Sequence, residues 1–343
     1  MKHHLNTLFV TTQGAHLRKE GAAVSVRVDR KERLRVPFIN VGAIACFGRV
    51  TCSVPLLGVC AQHGISITFL TEQGRFLAAV QGFTPGNVLL RREQYRRADD
   101  AKGSSEIARA CVIGKLANFR TVLRRAAREQ VNAESSTSLT RAANRLDLTL
   151  QTLGKPTELN SLRGIEGEST AVYFDVFDHL ITARKQDFRF TGRSRRPPLD
   201  RVNSLLSFLY SILTNDARSA CEAAGLDAAV GFLHRDRPGR PSLALDLMEE
   251  LRPILADRLA LSLINRQQVK PSGFTIEPTG GVRMDDTTRK TVISAYVQRK
   301  QETITHPFLG EKTTLGLVVH IQARLLARHL RGDLDAYPPF SWR

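Results

Sequence analysis

His234, Asp246, Glu249 and Glu250 lie in one short stretch, HRDRPGRPSLALDLMEE. The histidine belongs to a Gly/Pro/Arg-rich loop, and a helix-forming segment follows it. Helical positions three or four apart share a face, so Asp246 can present its carboxylate beside Glu249 or Glu250. One imidazole with one or two carboxylates, converging from a loop and a helix, suits a hard or borderline divalent ion. The same residues also fit an ordinary amphipathic helix with a solvated acidic face. A second acidic locus is Glu166, flanked by Gly164 and Gly167 in SLRGIEGESTAVYF. Glycine next to a carboxylate allows close approach of backbone or of a substrate such as a phosphodiester. Arg163 stands near enough to meet a phosphate oxygen, or to pair with Glu166 or Glu168. A first-turn glutamate offsetting a helix dipole is the competing reading of Glu166.

The chain around these residues is strongly basic. Its 343 residues carry a formal net charge of +17, and 42% are apolar, enough for two or three domains with real cores. Such an excess of Lys and Arg calls for a polyanionic partner, with nucleic acid first, because basic side chains gain affinity by displacing counterions from phosphates. Arg193, Arg195 and Arg196 precede Pro197 and Pro198 in a loop; Arg91, Arg92, Arg96 and Arg97 form another cluster, and Arg120, Arg124, Arg125 and Arg128 a third. No acidic blocks match them, which favours phosphate contact over solvated faces. One Trp, five Tyr and sixteen Phe are not interleaved with these clusters, so duplex backbone binding fits better than base stacking. An anionic membrane is the rival partner, but no apolar run reaches about eighteen residues and no basic amphipathic anchor is present. The N-terminus (MKHHLNTLFV) lacks the apolar stretch of a signal peptide. Cys46, Cys52, Cys60, Cys111 and Cys221 form no CxxC pair and no zinc spacing, so they read as buried thiols in a reducing cytoplasm.

The elements that must position these groups divide the chain in two. Residues 1–86 read as β-rich, with strands near Leu8–Thr11, Ala23–Val28, Leu34–Phe38, Ile65–Leu70 and Phe76–Val80, the last two forming a hairpin. Val24, Val26 and Val28 alternate with polar neighbours as in a half-buried strand. A short helix over 53–63 is stopped by Gly64. From 87 to 343 the pattern is helical, over about 88–98, 104–130, 138–153, 161–182, 200–224, 243–266, 286–302 and 314–331. Asn87 and Asp200 are N-cap candidates and Gly225 a C-cap. The interruption near 270–284, with Phe274–Ile276 and Val282–Met284 around a PTGG turn, reads as a small hairpin. The tail beyond Gly332 is biased enough to expect disorder. The fold class is α+β: a small β-rich N-terminal domain followed by a larger, mostly α-helical one.

Taken together, LRGIEG with Glu166, RSRRPPLDRVNSLLSFLYSIL from Arg193, and GFLHRDRPGRPSLALDLMEELRP from Gly231 resemble the CRISPR adaptation integrase, the first and most widespread CRISPR-associated protein family. The resemblance covers essentially the full length, with three distant segments in the right order. It implies that Glu166, His234 and Glu249 bind Mg²⁺ or Mn²⁺, with Asp246 as neighbour of the last ligand and Glu250 one position out of register. It also implies a cytoplasmic prokaryotic homodimer, joined mainly through the β domains, that works with the small second CRISPR-associated subunit. Its reaction would join 3′-hydroxyl ends of double-stranded spacer DNA to the CRISPR repeat by transesterification. Arg163, Arg193, Arg195 and Arg196 would hold the DNA. A metal-dependent nuclease acting on branched DNA would use the same residues, whereas a non-catalytic basic scaffold would leave them on the surface. Composition and spacing alone reach only a basic DNA-binding protein with a candidate metal site.

Overall fold

Short β-branched runs separated by tight turns build the first part of the chain. They give β1 (Thr7–Val10), β2 (His16–Glu20), β3 (Ala23–Val28), β4 (Lys31–Pro37), β5 (Ala43–Phe47), β6 (Thr51–Cys52), α1 (Val54–Gln62), β7 (Ser66–Leu70) and β8 (Phe76–Val80). The structure is a computed structural model that describes residues 7–80, 82 and 87–342. The chain falls into two units, 1–85 and 86–343. The residues flanking that boundary, 83–86, and the first six of the N-terminal stretch lie outside the described residues.

In the first unit β1, β5 and β7 run parallel and β8 closes the sheet antiparallel to β7. A second sheet has the order β4-β3-β2-β6, antiparallel except for the β2–β6 pair. Leu17, Val24, Ile44, Cys46, Leu56 and Ile67 share one core. The anticipated strands and hairpin are present, and β2, β5 and β6 are additional. β3 departs from the half-buried expectation, since Ser25 is as buried as its valine neighbours. Its hydroxyl escapes an unsatisfied burial by donating to Glu32 Oε2 at 2.6 Å. Gly64 follows α1 with φ of 68°, the left-handed conformation that ends a helix at little cost for glycine.

The second unit is helical. Its first elements are α2 (Val88–Asp99), α3 (Ala101–Glu129), α4 (Ala133–Thr152), α5 (Leu159–Asp175), α6 (Arg201–Ala223), α7 (Ser242–Glu249) and α8 (Arg258–Asn265). They are followed by β9 (Phe274–Ile276), β10 (Val282–Met284), α9 (Asp286–Lys300), β11 (Thr303–Thr305), β12 (Lys312–Thr314) and α10 (Val318–Leu330). The expected hairpin is β9–β10, and a second one, β11–β12, was not anticipated. α3 is the central rod, packed on α2, α4, α5 and α7. Asp200 caps α6 by accepting from Asn203 N at 2.7 Å. Asn87 stands at the start of α2 without a side-chain cap bond. Its amide lies instead where a Cβ at Gly225 would be, 2.1 Å from Nδ2, so this glycine (φ 81°) is required for space as well as conformation.

Two other expectations are corrected. The tail beyond Gly332 is not disordered: Tyr337 and Phe340 are buried, and Asn118 and Glu250 bond its backbone. The segment read as one helix over 243–266 is broken, because a π-helical stretch, Arg252–Asp257, separates α7 from α8. Such a stretch rotates the side chains that follow it and often marks a functional site.

Candidate metal and DNA site

α7 presents Asp246 and Glu249 inward, and neither belongs to a solvated face: they are 0% and 3% exposed. Glu250 is equally buried but faces the other way. Its carboxylate accepts from Tyr337 Oη at 2.6 Å, Phe340 N at 2.6 Å and Gln322 Nε2 at 3.0 Å. Burial still pushes its carboxyl up to about 8 against those hydrogen bonds. Glu250 therefore anchors the C-terminal tail and stands apart from the ligand candidates, as its register implied.

The loop carrying His234 wraps around Asp246. Backbone N–H groups of Phe232 and Leu233 donate to Oδ2 at 2.6 and 3.0 Å, and that of His234 donates to Oδ1 at 3.0 Å. His234 Nδ1 lies 2.6 Å from Asp246 Oδ1. With Nδ1 so engaged, Nε2 is the nitrogen left for a ligand, and it sits 3.9 Å from Glu249 Oε1. A Cβ at Gly231 would come within 2.8 Å of Asp246 Oδ2, so only glycine lets the loop close this tightly.

Glu166 arrives from α5. It is not a first-turn residue, since the helix begins at Leu159, and the dipole reading of it falls away. Gly164 and Gly167 face open space, where Cβ atoms would meet nothing within 4 Å. Between Glu166 and Glu249 stands a residue that the sequence reading missed, Lys115 of α3. Its ammonium bonds Glu166 Oε1 and lies 2.7 Å from Glu249 Oε2, with a side chain that is 0% exposed. Arg252, three residues on at the start of the π-helical stretch, grips both oxygens of Glu249 at 2.7 and 2.9 Å. Burial alone would raise the Glu249 carboxyl, but Arg252, Lys115 and His234 together outweigh it and hold the group well below the ordinary carboxylate range. A sequence signal for Lys115 existed. It lies on the apolar stripe of α3, four residues from both Cys111 and Phe119, where a lysine demands a buried partner.

Among the described residues no three His, Cys, Asp or Glu side chains are arranged to hold a metal ion. Two carboxylates nevertheless converge on a single cation, the Lys115 ammonium, with a free imidazole nitrogen beside one of them. Two hard oxygen donors and one borderline nitrogen are a fitting set for Mg²⁺ or Mn²⁺.

The arginines divide into two kinds. Arg163 Nε donates to Leu233 O at 2.7 Å, which ties α5 to the histidine loop, and it pairs with neither Glu166 nor Glu168. Arg193 is committed to Asn203 Oδ1 at 2.5 Å and Ser194 O at 2.6 Å, and lies over the Tyr210 ring. Arg252 covers the same ring, so Tyr210 links the Arg193 loop to the residue that grips Glu249. Arg195 and Arg196 are exposed, as are Arg235 and Arg237 on the histidine loop, a basic lip the sequence reading did not single out. The expectation for Arg120 and Arg124 is corrected, because both pair with Asp147 across the α3–α4 interface. An acidic partner distant in sequence answers a cluster that looked unmatched. The five cysteines are free, and four of them are buried. No helix among the described residues is long and apolar enough to cross a membrane.

Comparison with known proteins places the chain in a family. The family model for CRISPR associated protein Cas1 matches residues 8–298. CRISPR-associated endonuclease Cas1 1 of Chlorobaculum tepidum is 56% identical, over 100% of both chains. Two solved structures share the fold. A casposase bound to integration product superposes with a TM-score of 0.83 at 20% identity, covering 99% of this chain and 95% of the other. A chain of a Cas6-RT-Cas1–Cas2 complex does so with a TM-score of 0.83 at 24% identity, covering 100% of this chain, which spans 36% of that longer one. A β-rich unit followed by a helical one, and a match of this length and identity, assign the chain: it belongs to the CRISPR-associated protein Cas1 family.

Proposed function

We propose that this protein is a metal-dependent DNA integrase and endonuclease of CRISPR adaptation, joining spacer 3′-hydroxyl ends to the repeat array by transesterification. The observation that supports the reading is that Glu166 and Glu249 share the Lys115 ammonium, with Nε2 of His234 3.9 Å from Glu249 on a loop that also carries the exposed Arg235 and Arg237. Glu166, Glu249 and His234 would hold Mg²⁺ or Mn²⁺, the histidine favouring Mn²⁺ somewhat. When bound, a divalent ion would supply charge neutralisation for the phosphoryl oxygens undergoing transfer. The chain's own groups do the positioning. Asp246 fixes the His234 ring through Nδ1, Arg252 fixes the Glu249 carboxylate, and Arg163 fixes the loop between them. Arg195 and Arg196 bind duplex phosphates, while Arg193 acts from behind them through Asn203 and Tyr210.

In the joining reaction one phosphodiester replaces another, so no nucleotide hydrolysis is needed. The same groups would serve hydrolysis of branched DNA with water as nucleophile, a second reading favoured by the endonuclease name of the Chlorobaculum tepidum relative. Partners in keeping with the relatives are double-stranded spacer and repeat DNA, a second copy of this chain, and the small second CRISPR-associated subunit, named as Cas2 in the neighbouring complex. The cytoplasm is the location this function requires.

The test is a labelled spacer fragment incubated with repeat DNA and Mn²⁺, separating joined from merely cut products. Glu166→Ala, His234→Ala and Glu249→Ala are each expected to abolish both products while retaining non-specific DNA binding. Wild-type joining by any one of them would remove that residue from the ligand set.

A further inference from the structure

Lys115 is harder to explain than a surface lysine. It has no solvent exposure, projects from the apolar stripe of α3, and its ammonium lies 5.4 Å from the centroid of the Phe119 ring. Burying an ammonium costs several kcal/mol unless charged partners offset it. Its partners here are the same two carboxylates that would hold the divalent ion. Its positive charge and the ion's would therefore compete for the same oxygen lone pairs, at a spacing where like charges repel strongly in a low-dielectric surround. Without some cation between them, Glu166 and Glu249 would face each other with Arg252, which is bonded to Glu249, as the remaining counter-charge.

We infer that Lys115 is a resident cation of the metal site: it keeps Glu166 and Glu249 apposed in the ion-free protein, and the divalent ion binds only by displacing its ammonium from between them. The inference rests on the proposed assignment of those carboxylates as ligands. Lysine suits the task because a compact ammonium on four methylenes can swing aside without moving its helix, whereas the planar fork of arginine would not. In this role Lys115 is a positioning residue that lowers the affinity for the ion in exchange for a pre-formed pair of ligands.

The experiment measures Mn²⁺ affinity on the full-length protein from the electron-spin resonance signal of the free ion, with thermal unfolding alongside. Lys115→Met and Lys115→Gln are expected to bind Mn²⁺ about tenfold more tightly than wild type, or better, since the competing charge is gone. They should also unfold at lower temperature without the ion and show a larger rise in Tm when Mn²⁺ is added. Lys115→Arg keeps the charge and should bind no more tightly than wild type. A purely structural lysine would lower Tm and leave affinity unchanged or weakened. Unchanged or weaker binding in both neutral variants, or equal tightening by the arginine variant, overturns the inference. Glu166→Ala separates the two levels of the argument. If it binds Mn²⁺ as wild type does, the ligand assignment falls and this inference falls with it. If it loses the site while the lysine variants match wild type, only the role of Lys115 is refuted.

Discussion

Replacing Asp246 by asparagine tests whether the histidine loop is built around a carboxylate. Four hydrogen bonds converge on that group, two on each oxygen: Phe232 N and Leu233 N on Oδ2, His234 N and His234 Nδ1 on Oδ1. An amide has one acceptor oxygen and one NH₂, so either orientation of asparagine satisfies one pair of donors and points its own donors at the other pair. Two bonds to a charged group are lost if the NH₂ faces Phe232 and Leu233, and one if it faces His234 and the imidazole changes tautomer, at roughly 1.5–3 kcal/mol each, giving a destabilisation of about 1.5–6 kcal/mol. If the amide turns its NH₂ towards the imidazole, His234 must present the other tautomer, and Nε2 then carries a proton instead of a free lone pair. Denaturant unfolding of wild type and Asp246→Asn measures the first effect. Mn²⁺ titration measures the second, expected as a ~10–100-fold loss of affinity, the usual result of removing a group that orients a metal-bound histidine. A variant with wild-type stability and wild-type Mn²⁺ affinity would refute the reasoning. It would mean that the loop holds its shape without the carboxylate.

Two further outcomes follow from the same structure. Replacing Arg195 and Arg196 together by alanine should weaken duplex binding and reduce the slope of log affinity against log salt by about 1–2, since each lost phosphate contact releases one fewer counterion; an unchanged slope in a fluorescence titration would take this loop off the binding surface. Asp257 gives a pH dependence. Burial raises its carboxyl to about 6 from 3.8, with Arg252 and the Tyr210 hydroxyl opposing the shift. The folded state thus holds the proton more tightly than the unfolded state does. The stabilisation is full below pH 3.8 and is lost as pH rises through about 6. Over that window wild type should lose ~3 kcal/mol relative to Asp257→Asn, in which the group cannot ionise. Parallel stability curves for the two proteins would show that Asp257 titrates normally.

The readings that succeeded rest on local rules. Ala23–Val28, the hairpin Ser66–Leu70 with Phe76–Val80, the Asp200 cap and the β9–β10 hairpin follow from side-chain periodicity and turn chemistry within a few residues. That Asp246 shares a face with Glu249 or Glu250 was likewise open to reading from helix geometry, whereas the choice of Glu249 over Glu250 came only from the family resemblance. In two places where the reading failed, the partner was remote. Arg120 and Arg124 looked unmatched because Asp147 is brought to them by the packing of α4 on α3. The C-terminal tail looked free because Glu250 and Asn118, which bind it, come from distant helices.

The sequence by itself determined the α+β order of elements, the basic charge that calls for a polyanion, and the residue types able to bind a divalent ion. Two decisions belonged to the tertiary structure alone. Asp246 is enclosed by the backbone N–H groups of the histidine loop, and Lys115 stands between Glu166 and Glu249. The physical reason is common to both. A buried charge must find its counter-charge or hydrogen-bond partner, and for Lys115 and Glu166 the partners lie on separate helices, so no window of sequence contains the pair.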